Sequence, residues 1–118
     1  MIKRHTISLK NAFAGLIWAL KTQPNYRVHL FLSFLAIVGG IFFAISYSEW
    51  LTIMVLITLG FSIETINTAL EATNDAIDQK WRQEIKIAKD LAAGAMLFFA
   101  IGAFIIASII FVPKILLH

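Results

Sequence analysis

From Trp50 to Ile63 the chain carries no charged side chain, and then Glu64, Asn67, Glu71, Asn74, Asp75 and Asp78 follow with no Pro or Gly among them. A helix running unbroken through this stretch constrains most of what the chain can become. At about 100° per residue, the six polar residues fall within an arc of roughly 100°. Ile66, Ala69, Leu70, Thr73 and Ile77 cover the opposite side. The 29 residues from Trp50 to Asp78 span about 43 Å at 1.5 Å per residue. That exceeds the roughly 30 Å of a bilayer's hydrocarbon core. The ribbon of carboxylates and amides therefore runs from the membrane edge into water, where something polar or cationic must meet it.

The remainder of the chain agrees with a membrane setting. It is 59% hydrophobic and 14% charged, against about 25% charged in an average soluble protein, and mean hydropathy is +0.82. With 118 residues it makes one domain, spanning 1–118. Cysteine is absent, which removes disulfides, thiolate metal sites and cysteine nucleophiles.

Residues 1–27 read as an amphipathic surface helix. Leu9, Phe13, Leu16, Ile17 and Leu20 share one face and Lys3, Lys10 and Lys21 another, the pattern of a helix lying in the headgroup layer. The same pattern would also serve as an ordinary amphipathic extension. Pro24 is expected to end or kink it. Residues 28–47 form a nearly uncharged run long enough to cross, too far from the start and too well followed by further spans to be a signal peptide. Ser46 to Glu49 makes a tight connection, 50–78 returns, Gln79 to Glu84 turns, and 85–112 crosses again until Pro113 ends it. Ala88, Ala92, Gly94 and Ala95 give this last span small surfaces for close helix approach. The fold class expected is all-α: a surface helix plus three transmembrane helices.

Nine of the ten Lys and Arg residues lie in the N-terminal segment or the second connection, which an even number of crossings places on one side; only Lys114 lies opposite. The basic side is cytoplasmic by the positive-inside rule. Six of the seven acids share it, Glu49 being the exception, so the ribbon faces cytosol.

Glu64 is the deepest charge, and an acid at that depth is a functional candidate, placed where a general base could act on a lipid; it could equally pair with a cation from another helix. Glu71, about 10 Å further out, and Asp75 one turn beyond offer hard oxygen ligands. Mg²⁺ characteristically takes one or two carboxylates and completes its shell with phosphates and water. A solvated acidic helix end would look the same. Lys89 and Asp90 open the next span opposite the ribbon, where a lysine can hold phosphate as a point charge or a salt bridge can close the helix end. No G-x-x-x-x-G-K-[ST] is present. His5, His29 and His118 are scattered without metal spacing, and no Ser has a His/Asp constellation. The basic residues follow the membrane edge, which argues against nucleic-acid binding. Two readings remain: an enzyme acting on a lipid headgroup with a charged cytosolic cosubstrate, or a small proton- or cation-conducting oligomer with Glu64 as relay. A relay wants its acid near mid-membrane, and here the acids cluster at one end. That favours interfacial chemistry on something phosphorylated.

These residues resemble the prokaryotic diacylglycerol kinase and undecaprenol kinase family of small membrane kinases. The similarity lies in Glu64-Thr-Ile-Asn67-Thr-Ala-Leu-Glu71-Ala-Thr-Asn-Asp75, then Ala88-Lys89-Asp90 and Ala92-Ala-Gly-Ala95. Asn11-Ala-Phe-Ala-Gly15 and Ala19-Leu-Lys21-Thr-x-x-Asn25-Tyr26-Arg27 extend it upstream. The resemblance implies an ATP- and Mg²⁺-dependent lipid kinase of the bacterial inner membrane, homotrimeric, with sites shared between subunits and facing the cytosol. It implies Glu64 as the base taking the lipid hydroxyl proton, with Asn67 placing that hydroxyl or the adjacent phosphate. Glu71 would hold the metal, and Arg4, Asp75, Lys89 and Asp90 would lie about the nucleotide. One position departs: Gln23 stands where the family usually has a second metal-binding Glu, which leaves a catalytically inactive scaffold as a further reading. The segment Lys21 to His29 resembles the undecaprenol branch more than the diacylglycerol branch.

Overall fold

The computed structural model of the protein describes residues 2–78 and 80–118; Gln79, at the start of the expected second turn, lies outside the described residues. The described residues form four helices in order: α1 (Ile2–Thr22), α2 (Pro24–Phe42), α3 (Tyr47–Ile77) and α4 (Gln83–Leu117). No strand occurs among the described residues, and α2, α3 and α4 are each long and apolar enough to cross a membrane. The class is all-α, with the acidic ribbon at the C-terminal end of α3.

The break between α1 and α2 is made by Gln23, whose backbone is extended, and by Pro24 at the first helical position of α2, where a missing N–H costs nothing. Arg27, one turn into α2, reaches back: its Nε donates to Leu20 O at 3.2 Å and its Nη2 to Lys21 O at 2.8 Å. The guanidinium thus satisfies carbonyls that the end of α1 leaves without helical partners. This fixes α1 against the foot of α2.

At the opposite end, α2 closes with Ile45 N donating to Gly40 O and Ala44 N to Ile41 O, while Ala44 adopts φ 50°. That is the Schellman arrangement, with Ala44 at the left-handed position that glycine usually fills. Ser46 then caps α3 reciprocally. Glu49 N donates to Ser46 Oγ at 3.2 Å, and Ser46 N donates to Glu49 Oε1 at 2.9 Å, a capping box.

Pro113 does not end the last span. α4 continues through it to Leu117. Proline removes one backbone donor, a loss that membrane helices accommodate when neighbours hold the segment. Lys114 supplies that hold. Its Nζ donates to Glu49 Oε2 at 2.8 Å and to Ile110 O at 3.2 Å, and His118 packs on Phe42 and Phe43 at 5.2 and 5.5 Å.

The core sits at this same end of the bundle. Ile45, Ile53 and Ile110 are buried together, with Trp50, Ile57, Ile106 and Phe111 packed on them. The helices also meet where a glycine removes a side chain, at Gly40 within this core and at Gly60 beyond it. A Cβ on Gly40 would come within 2.7 Å of the Trp50 indole, and one on Gly60 within 2.8 Å of Phe99. Most large apolar side chains on the outer faces stay exposed, as suits surfaces that meet acyl chains rather than water.

Gly40→Ala should force the Trp50 ring from its seat and cost about 1–3 kcal/mol of stability, the usual range for overpacking. Thermal unfolding in detergent would read this as a lowered midpoint; an unchanged midpoint would mean the ring swings aside freely.

Candidate active site

The polar ribbon of α3 is turned inward at its deep end and outward at its tip. Glu64 is 3% exposed, Asn67 8% and Thr68 7%, whereas Glu71 and Asp75 are open to solvent. The facing sequence pattern explains this division. Ile66, Leu70 and Ile77, assigned by periodicity to the other side, are all exposed, so the amphipathic face of α3 is directed at its neighbours and not at lipid.

Asn67 Nδ2 lies 3.4 Å from Glu71 Oε1, which puts the amide between the buried and exposed carboxylates on one helical face. Asp75 Oδ1 accepts from Lys89 Nζ of α4 at 3.0 Å, joining two expected site residues across the α3–α4 turn. Asp78 carboxylate pairs with Arg82 at 2.8 Å. Asp90 turns instead to Lys86 on its own helix, at 2.6 Å. Arg4 stands exposed near the start of α1 and has no side-chain partner among the described residues. Gln23 is half-buried, and its Nε2 donates to Thr22 Oγ1 at 3.2 Å, holding the amide on the α1–α2 break.

The buried carboxylate meets groups that spacing in the chain did not single out. His29 Nε2 of α2 is 3.9 Å from Glu64 Oε2, and the imidazole lies beside Phe61 of α3 and Phe99 of α4. Thr68, one turn beyond Glu64, buries its Oγ1 with no hydrogen-bond partner among the described residues, which is uncommon for a buried polar atom. The one sequence signal for Thr68 is its place four residues after Glu64 on the same face. His29 had none, because its neighbour lies on a different helix. An apolar groove of about 690 Å³ is walled by Phe13, Leu16, Ile17 and Leu20 of α1, Tyr26 and Leu30 of α2, and Thr58, Phe61, Ser62, Thr65 and Ile66 of α3. The apolar face expected of the surface helix forms one of its walls. Tyr26 Oη and Thr65 Oγ1, 3.0 Å apart, tie the far walls together.

A profile of the prokaryotic diacylglycerol kinase family matches residues 10–111. The chain belongs to that family. Similar proteins include the undecaprenol kinase of Bacillus subtilis strain 168, 36% identical over 114 residues, covering 97% of this chain and 93% of the relative. Another is the diacylglycerol kinase of Synechocystis sp. strain PCC 6803, 35% identical over 114 residues, covering 93% of this chain and 63% of the relative. As a member of this family the chain is an enzyme, a multi-pass membrane lipid kinase, and the family implies ATP as phosphate donor.

Among the described residues no three His, Asp or Glu side chains are grouped to hold a metal by themselves. That is compatible with Mg²⁺, which binds through one or two carboxylates and substrate phosphates rather than an all-protein cage. Among the described residues, Glu71 is exposed and its one side-chain hydrogen bond is the long Asn67 contact.

Lys89 and Asp75 are each about half exposed, so their pair contributes roughly 0–1 kcal/mol to stability. Lys89→Ala should leave the unfolding midpoint almost unmoved in a melting experiment; a large drop would make this pair a structural anchor of the α3–α4 turn.

Proposed function

We propose that the protein transfers the γ-phosphoryl group of ATP to the hydroxyl of a membrane lipid alcohol at the cytosolic interface, with undecaprenol favoured over diacylglycerol. The burial of Glu64 at the inner end of a ribbon whose outer end is solvated carries this reading. Phosphoryl transfer asks chiefly for positioning and for neutralisation of charge, and the ribbon grades from a group suited to each task.

Glu64 takes the proton of the lipid hydroxyl as the oxygen attacks phosphorus. Its burial keeps bulk water from competing for that attack. Asn67, between Glu64 and Glu71, orients the hydroxyl or the adjoining phosphate. Thr68 places its unpartnered hydroxyl beside the same carboxylate, where it can bond the incoming alcohol. Glu71 holds Mg²⁺, which when bound draws charge from the phosphate oxygens and so eases transfer. Lys89, now paired with Asp75, turns to the nucleotide phosphates as a compact charge, with Arg4, Asp75 and Asp90 completing the nucleotide surroundings. The groove between α1, α2 and α3 accepts the lipid chain, since its walls are almost wholly apolar and Phe61 and Thr65 in its lining flank Glu64 in sequence.

Undecaprenol is supported by the Lys21–His29 segment and by near end-to-end similarity to the Bacillus undecaprenol kinase. Gln23, fastened to Thr22, leaves Glu71 as the principal metal carboxylate of the chain. A homotrimer in the bacterial inner membrane, with the N-terminus cytosolic, is supported by the nine-to-one distribution of basic residues and by the apolar outer faces that further copies can cover.

Purified protein in mixed micelles with labelled ATP and each lipid in turn tests the reading. Label should enter undecaprenol more readily than diacylglycerol, and label in neither would favour the conducting oligomer or the inactive scaffold. Glu64→Gln should reduce turnover by about 10²–10⁴-fold, the usual contribution of a positioned base, while nucleotide binding measured by titration persists. Gln23→Glu should lower the Mg²⁺ concentration needed for half-maximal activity; an unaltered requirement would place position 23 outside the metal's surroundings.

A further inference from the structure

The chain uses a second helix to address its buried acid. Across the gap from Glu64, α2 presents His29, whose Nε2 stands 3.9 Å from Oε2. The imidazole occupies a slot built for a flat ring. Phe61 and Phe99 lie 6.0 and 6.2 Å away, centre to centre, and Gly60 leaves the floor open. A Cβ there would meet His29 Nδ1 at 3.3 Å and Phe99 at 2.8 Å. Gly60 is also one turn before Glu64 on the same face, so the residue that admits the ring and the residue the ring addresses are set by one stretch of α3.

Other charged or titratable groups nearby are engaged elsewhere. On α2, Tyr26 bonds Thr65 and Arg27 bonds the end of α1. On α3, Glu71 acts on Glu64 only as a like charge two turns outward. From α4 the slot is faced by Phe99. Among the described residues, the His29 nitrogen is therefore the cationic or donor group of another helix within salt-bridge distance of this carboxylate.

Resting on the kinase reading above, we propose that His29 is a positioning residue for the base Glu64. Its Nε2–H holds Oε2 so that Oε1 is left to face the lipid hydroxyl. The separation is about 1 Å longer than a hydrogen bond, and such bonds commonly tighten when the reacting complex forms. In the step it supports, the hydroxyl proton passes to Glu64 while the new O–P bond forms. The bond from the γ-phosphorus to the bridging oxygen breaks, and ADP leaves with that electron pair. His29 keeps its own proton throughout. A histidine that merely filled the aromatic slot would be replaceable by phenylalanine; a donor to Glu64 would not.

Phosphorylation of undecaprenol in micelles, measured for the wild type, His29→Phe and His29→Gln, separates these roles. His29→Phe should lower kcat by about 10- to 100-fold, as loss of an orienting partner does. KM for ATP should stay near the wild-type value, and the pH profile of kcat/KM should shift, since Glu64 has lost its neighbour. His29→Gln, which retains an N–H donor, should recover part of kcat. Wild-type kcat and an unmoved pH profile in His29→Phe would overturn the assignment, as would equal losses in both variants that track lowered melting midpoints. Wild-type protein that phosphorylates no lipid would overturn the kinase reading and this assignment together. Wild-type turnover that His29→Phe leaves intact would overturn this assignment alone.

Discussion

Everything at the polar end of this protein depends on keeping one carboxylate, Glu64, out of water. Removing an isolated carboxylate from solvent carries a large desolvation cost unless it is neutralised, paired or hydrogen-bonded. Among the described residues, the surroundings provide an imidazole at 3.9 Å and a threonine hydroxyl one turn away. A chain selected only for stability would place leucine there. The acid survives in that position because the packing of α2 and α4 against α3 is fixed by other groups, chiefly the isoleucine cluster at the far end and the Arg27 bonds at the near one.

The ribbon and the membrane share a single helix, and that economy explains how so short a chain can hold a phosphoryl-transfer site. One continuous helix sets the depth of each group by its rise alone. The hydrocarbon-side end of the ribbon is dry and carries Glu64, proposed above to take a proton. The water-side end is wet and carries Glu71, proposed above to meet a hydrated cation. Asn67, bonded toward Glu71, links the two without a loop.

Much of this was legible in the sequence because it is periodic. Five of the six polar positions of the ribbon lie on α3, Asp78 falling just past its end, and these, the apolar face of α1 and the long apolar runs each repeat at helical spacing. Two features escaped for different physical reasons. Pro113 ordinarily stops a helix, but Lys114 and His118 hold the last turn of α4 in place through partners on α3 and α2. His29 looked like an isolated histidine because its partner is 35 positions away in the chain, and no local pattern encodes a contact between helices. The roles of Arg4 and Asp90 rest on resemblance alone; among the described residues Asp90 pairs with Lys86 and Arg4 has no side-chain partner.

The Lys114–Glu49 bond has a mechanical consequence. It clasps α3 to α4 at the ends remote from the acids, within the half-buried layer beside the isoleucine cluster. At the other ends the short connection between Ile77 and Gln83 joins the two helices, and the Asp75–Lys89 and Asp78–Arg82 pairs bridge them. Two rods tied at both tips make a closed frame rather than a pair of jaws: the spacing at the acidic tips is held by the chain itself, and that at the far tips by the Lys114–Glu49 bond.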